Sequence, residues 1–201
     1  MGVDAIGRLT GSQLPGIGDF AGPVTTATAL DVTDVEPDVV VACVGSDQAM
    51  LDAVVALAAG GHRLKVFEDR PRLVLPEGRR LPGRAELLTA VAGPLRTVAA
   101  CTVRIPTLPP VRRGLAVAPV RAQRLAGSHQ RRRLLPDPWM RRQLTPSRHD
   151  HRGPLRSDGY YRALASGQAQ LVSWPIARIT PDGIRTCDGL EHRIDLLVVA
   201  S

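Results

Sequence analysis

Val39 to Met50 reads VVVACVGSDQAM, and this stretch decides the fold class. Val39 to Val44 is a continuous run of small and β-branched apolar residues. That is the pattern of a strand buried on both faces, as in a parallel sheet. Gly45 breaks the run. From Asp47 to Ala59 the apolar residues Met50, Leu51, Val54, Val55 and Leu57 recur at helical spacing. Gly60-Gly61 then supplies a stop signal tolerant of left-handed backbone. Arg63 to Phe67 reads as a second strand. Strand, helix and strand in this order form a crossover unit, which makes the strands parallel and the winding right-handed. The pattern predicts an α/β fold: a Rossmann-like parallel β-α-β core with appended helices and a C-terminal β-hairpin region.

A dinucleotide-binding turn needs three small residues for three reasons. The first makes the tight turn, the second lets pyrophosphate approach the backbone, and the third lets helix and strand pack closely. Gly45 keeps the first role. Asp47 stands at the second position and Met50 at the third. A helix N-terminus attracts phosphate, but a carboxylate at Asp47 competes for the same N–H groups. The end of the second strand reads Glu68-Asp69-Arg70. An acid about 20 residues past the turn suits ribose hydroxyls and hence NAD, whereas an arginine suits the 2′-phosphate of NADP. The candidate cofactor-binding residues are therefore Gly45, Ser46, Asp47, Gln48, Glu68 and Arg70, with NADP or NAD as the cofactor. No catalytic residue and no metal ligand is assigned. A second reading stays open, in which the turn is blocked and Glu68, Asp69 and Arg70 are solvated loop charges.

Composition bounds the function classes. The chain has 201 residues, 44% of them apolar and only 3% aromatic, so the core is built from Val, Leu, Ile and Ala. No apolar run approaches the roughly 18 residues of a membrane span, and the N-terminus lacks the layout of a secretory signal. The expectation is a cytoplasmic protein with no membrane partner. The formal charge is +7, yet Lys65 is the only lysine. Such an arginine bias fits a GC-rich genome better than a polyanion partner. Cys43, Cys101 and Cys187 are few, far apart and odd in number, which predicts buried free thiols and no disulfide framework.

Further along, Met1 to Gly22 reads as a loop. Glu77 to Gly83 is another, Arg84 to Val103 is expected to be helical with a break at Gly93-Pro94, and RIPTLPPVRRG is a linker by its prolines. Arg112 to Leu135 is Arg-rich and helical in part. LPDPWMRRQLTP predicts a short helix capped by Asp137. Beyond Tyr161, AQLVSW, IARITPDGIRT and IDLLVVA read as strands, with turns at TPDG and CDGLEH. His149-Asp150-His151 lacks a third partner at metal-ligand spacing. Arg131-Arg132-Arg133, with Arg121 and Arg124, lacks the interleaved aromatics of a nucleic-acid surface and reads as a solvated helix face.

Several of these segments carry a resemblance. DPWMRRQLTP, then SDGYYRAL, then QLVSWPIARITPDGIRTCDGLEHRIDLLVVAS resemble, in order and spacing, the flavin-containing and Baeyer–Villiger-type monooxygenases. Upstream, LPGIGDFAG, VACVGSDQAMLDAVVAL and LKVFEDRPRLVLP resemble the loop, the strand-turn-helix and the following strand of the NADPH-binding half of those enzymes. The Baeyer–Villiger fingerprint falls on Phe20 to Asp31. Phe20, Gly22 and Asp31 match it, whereas Thr26 and Leu30 replace its histidine and tryptophan. The family's basic loop is shortened to Asp150-His151-Arg152-Gly153. Ala5-Ile6-Gly7 and Ala200-Ser201 fall where the family chain leaves and re-enters its FAD domain.

The resemblance implies an FAD- and NADPH-dependent monooxygenase, which oxygenates a small organic substrate with O2. The FAD fingerprint has no counterpart here, so the chain is expected to be the NAD(P)-binding part, inactive alone and completed by a separately encoded FAD domain. The implied organisation is a hinge and linker over 1–34, the Rossmann-like core over 35–76, a helical Arg/Pro-rich segment over 77–150, and strands over 151–201 that return toward the FAD domain. The last strand, IDLLVVA, is then expected to be an exposed apolar edge. Two other readings remain open: a non-catalytic remnant that keeps only the fold's outline, and a basic anion- or nucleic-acid-binding protein.

Overall fold

The computed structural model describes residues 14–77 and 120–200. The expectations for Ala5–Gly7, the loop beyond Glu77, the helix from Arg84, the proline linker, Cys101 and Ser201 lie outside the described residues.

The apolar run becomes β2 (Val40–Val44) and the second strand becomes β3 (Arg63–Phe67). Between them runs α1 (Gln48–Ala59). The two strands pair in parallel, Val40 to Val44 against Arg63 to Phe67, so the β-α-β unit forms as its periodicity requires. Asp47 caps α1, and Gly61 turns the chain out of it at φ 84°. Of the two glycines at the stop, only Gly61 uses left-handed backbone.

The sheet is larger than that unit. β1 (Val24–Thr26), β6 (Ala169–Val172) and β10 (Leu196–Val199) join it in the order β1-β10-β2-β3-β6, all parallel. The expected apolar edge is therefore corrected. β10 lies between β1 and β2, hydrogen-bonded to both, with Val198 opposite Cys43 on one side and Thr25 on the other. A strand written Leu-Leu-Val-Val hides both of its faces only with neighbours on either side.

Side chains alternate between two cores. Val41, Cys43, Leu64, Val66 and Val198 face one, while Ala42, Val44, Phe67, Leu197 and Val199 face the other. The first core is closed by α1 and by α4 (Tyr160–Ala165), which presents Tyr160, Tyr161 and Leu164. The second is closed by an antiparallel sheet of β7 (Ile176–Thr180), β8 (Gly183–Thr186) and β9 (Glu191–Arg193). Ile179 and Ile184 point inward from this sheet. Both expected turns form there, the second with Gly189 at φ 87°. Helices, parallel sheet and antiparallel sheet thus make three layers. Each fully buried Val, Leu or Ile contributes about 1.5–3 kcal/mol to holding them together.

A smaller assembly flanks the first core. β4 (Val74–Leu75) and β5 (Leu155–Arg156) pair in parallel beside α2 (Val120–Leu134). Gly127 of α2 is where this helix meets β4, since a Cβ there would come within 2.6 Å of Leu73. The short helix α3 (Pro138–Gln143) forms as expected, with Asp137 accepting from the Trp139 and Met140 N–H groups. Among the described residues no helix is long and apolar enough to cross a membrane.

This topology places a site. From β2 the chain steps outward to β3 and β6, then returns across the other face to β10. Strand order therefore reverses between β10 and β2. In open α/β sheets ligands bind beyond the carboxyl ends of the strands at such a reversal.

Candidate functional site

Gly45, Glu68 and Ala200 stand just past the carboxyl ends of β2, β3 and β10. Gly45 adopts φ 122°, and a Cβ on it would come within 2.5 Å of the Ala200 Cβ. Glycine is required here by the close approach of the neighbouring strand, in addition to the turn itself. The Asp47 carboxylate accepts the Met50 N–H at 2.7 Å, which is the capping competition its position implied. Met50 is buried in the first core, so the large residue at the third position is absorbed between the layers.

Ser46 and Gln48 are held by other parts of the chain. The Ser46 carbonyl accepts from Arg72 Nη1 at 2.9 Å, and Arg72 Nη2 donates to the Gly153 carbonyl. Gln48 uses both ends of its amide on one residue: Nε2 donates to the Arg156 carbonyl at 2.7 Å, and Oε1 accepts the Arg156 N–H at 3.0 Å. Gln48 thus ties the start of α1 to β5.

Glu68 departs from the reading as a solvated loop charge, since it is only 7% exposed. Its carboxylate accepts the Tyr160 hydroxyl at 2.6 Å and the Arg72 N–H at 3.3 Å. Burial raises its pKa against the opposing pull of these bonds. The Tyr160 hydroxyl is likewise pushed well up, by burial and then by Glu68. The neighbours Asp69 and Arg70 are exposed, as loop charges, with 3.8 Å between the Arg70 Nε and the Asp69 carboxylate.

Beside Asp69 and Arg70 opens a cleft of about 800 Å³, closed on its far side by residues of the 143–152 loop. The Arg-rich helix shapes that loop. Arg124 donates to the Arg148 carbonyl at 2.8 Å, and Arg131 to the Leu144 carbonyl at 3.1 Å. Arg131 is buried, so the expected solvated face applies to Arg132 and Arg133 but not to it. Within the loop, Asp150 takes a fork from Arg152, Nε at 2.9 Å and Nη2 at 3.0 Å. Although burial opposes it, this fork and the nearby Arg152 and Arg72 charges hold Asp150 below the usual carboxylate range. Among the described residues no group of three His, Cys, Asp or Glu side chains is placed to hold a metal ion.

Two cysteines are described. Cys43 is buried, and desolvation lifts its thiol to about 12, which keeps it inert. Cys187 is exposed, correcting the expectation that the thiols are buried.

The residues that sequence reading missed are Arg72 and Tyr160, the partners of the turn and of Glu68. Both lie in stretches that carry the family resemblance, Arg72 in LKVFEDRPRLVLP and Tyr160 in SDGYYRAL, but neither was given a role at the site. A further signal was Glu68 itself, because an acid at the end of a buried strand needs a partner.

No protein-family model matches the chain. Over 73 residues it is 36% identical to a phenazine N-monooxygenase of Lysobacter antibioticus, covering 35% of this chain and 14% of that protein. It is 26% identical over 206 aligned positions to an uncharacterised monooxygenase of Mycobacterium bovis, covering 99% of this chain and 41% of that one. Among solved structures, cyclohexanone monooxygenase from Rhodococcus sp. Phi1 bound to NADP+ superposes with a TM-score of 0.66 at 21% identity, over 94% of this chain and 43% of that one. Steroid monooxygenase bound to NADP does so with a TM-score of 0.65 at 19% identity, over 93% of this chain and 43% of that one. The chain spans less than half the length of these relatives. Over nearly all of its own length it has the Rossmann-type α/β fold found in these monooxygenases.

Proposed function

We propose that this chain is the nicotinamide-dinucleotide-binding part of a flavin-dependent monooxygenase, working beside FAD-binding residues on a partner or a further segment. The observation that carries the reading is the glycine turn from β2 to α1, set at the strand-order reversal of a parallel sheet whose likeness extends to NADP-bound monooxygenases. In such an enzyme the nicotinamide supplies a hydride and the flavin activates oxygen on a small organic substrate.

The residues fit a dinucleotide unevenly. The cleft at the end of β3 offers exposed polar groups to an adenosine ribose: Asp69, Arg70, Ser147 and His149. At the turn, Asp47 sets a carboxylate where pyrophosphate approaches the helix. In this reading Arg72 holds the turn against the 153 loop and Gln48 holds the helix start against β5, so the site keeps its shape without ligand.

Calorimetry with NADPH and NADH tests the reading, using wild type and Asp47→Gly. Glycine is an acceptable N-cap, costing only a few tenths of a kcal/mol against Asp, so the variant isolates the carboxylate from the fold. Micromolar binding to either protein is the expected result, tighter in Asp47→Gly. A decayed remnant with the same fold gives folded samples of both proteins that stay silent with both nucleotides.

A further inference from the structure

The cleft at the end of β3 is electrically balanced. Arg152 is forked onto Asp150 and also gives Nη2 to the Arg70 carbonyl at 2.9 Å. Arg72 is committed to the Ser46 and Gly153 carbonyls. Arg70 lies across from Asp69 at 3.8 Å. Two carboxylates therefore face the two guanidinium groups that line the cleft. A phosphate monoester brings a charge of about −1.5 to −2 at neutral pH. Among the described residues of the cleft Arg70, 73% exposed and already facing Asp69, is the one guanidinium open to it; to be held by Arg152 as well, it would have to draw that side chain from a fork whose two members are only 25% and 13% exposed. A ribose diol needs no such exchange, because a carboxylate past the second strand accepts its hydroxyl protons.

We propose that this cleft selects the dinucleotide with a free ribose diol, NADH, over the one carrying a 2′-phosphate, NADPH, and that Asp69 and Asp150 set the choice. The inference rests on the nucleotide-binding reading above, and it departs from the NADP found in the superposed structures. Asp69 would accept from the ribose. Asp150 acts at one remove, by neutralising Arg152.

Calorimetric titration of the full chain decides it, with NADH and NADPH against wild type, Asp150→Asn and Asp69→Asn, each also in the Asp47→Gly background. The titrations are run at pH 8, above the range in which imidazoles ordinarily charge. NADH is expected to bind about tenfold more tightly than NADPH, a difference of about 1.4 kcal/mol. Asp150→Asn is expected to tighten NADPH about tenfold and to leave NADH within about twofold. Asp69→Asn, at an exposed side chain that supports no core, is expected to weaken NADH. A wild-type preference for NADPH, or variants that shift both nucleotides alike, overturns the proposal and leaves the nucleotide-binding reading standing. Silence from folded protein in both backgrounds overturns the two together.

Discussion

At the residue scale, the buried pair of Glu68 and Tyr160 makes stability depend on pH. A carboxyl whose folded pKa is raised by burial binds its proton more tightly in the native state than in the unfolded chain. Native protein then holds more protons between the ordinary and the raised pKa, and stability falls as pH rises through that window. Urea unfolding measured from pH 4 to pH 8 is expected to show this decline, and Glu68→Gln is expected to flatten it. Tyr160→Phe removes the hydroxyl donor at 2.6 Å and leaves the carboxylate poorly satisfied. A loss of about 1–3 kcal/mol at pH 7 is expected. A parallel decline in wild type and Glu68→Gln would assign the pH dependence to other groups.

At the element scale, the contact between α1 and α4 is set by one missing side chain. Gly159 precedes α4 with φ −93°, a conformation any residue adopts, so its need is for space. A Cβ there would come within 2.7 Å of Val55 Cγ1. Val55 is β-branched and stiff, with little freedom to rotate away. Gly159→Ala is therefore expected to cost about 1–3 kcal/mol through overpacking. Val55→Ala in the same chain should recover part of that loss, and the coupling is read from a double-mutant cycle in urea. Additive effects would mean that the two helices separate freely at this point. In the arginine-rich helix α2, by contrast, Arg124 and Arg131 reach inward to brace the loop that lines the cleft.

At the scale of the whole molecule, β10 is what makes the sheet one body. It joins β1 to β2 and contributes residues to both cores: Leu196 and Val198 to the first, Leu197 and Val199 to the second. A chain that ends after Arg193 is expected to lose cooperative unfolding and to be cleaved rapidly by protease, because β1 and β2 would each lose a partner strand. Leu197→Ala is a milder version, expected to cost about 2–5 kcal/mol for a fully buried leucine. A shortened chain that kept its thermal transition would show β10 to be dispensable. The position of β10 also explains Gly45. Ala200 follows β10 directly and presses on that glycine, so the nucleotide turn and the last strand constrain one another.

The residue pattern from Val39 to Phe67 determined the β-α-β unit, the parallel pairing of β2 and β3, the cap at Asp47 and the stop at Gly61. These are local matters, settled by spacing and by backbone preferences within a few residues. The hairpin turns and the Asp137 cap were legible for the same reason. The place of IDLLVVA, the burial of Glu68 and the bracing roles of Arg72, Gln48 and Arg131 were decided only in three dimensions. Each depends on a partner far along the chain: Val40 to Val44 for the last strand, Tyr160 for Glu68, Gly153 for Arg72 and Arg156 for Gln48. A charged or apolar residue carries no mark of which distant group will satisfy it. Burial and hydrogen-bond satisfaction are properties of the packed molecule, not of the segment.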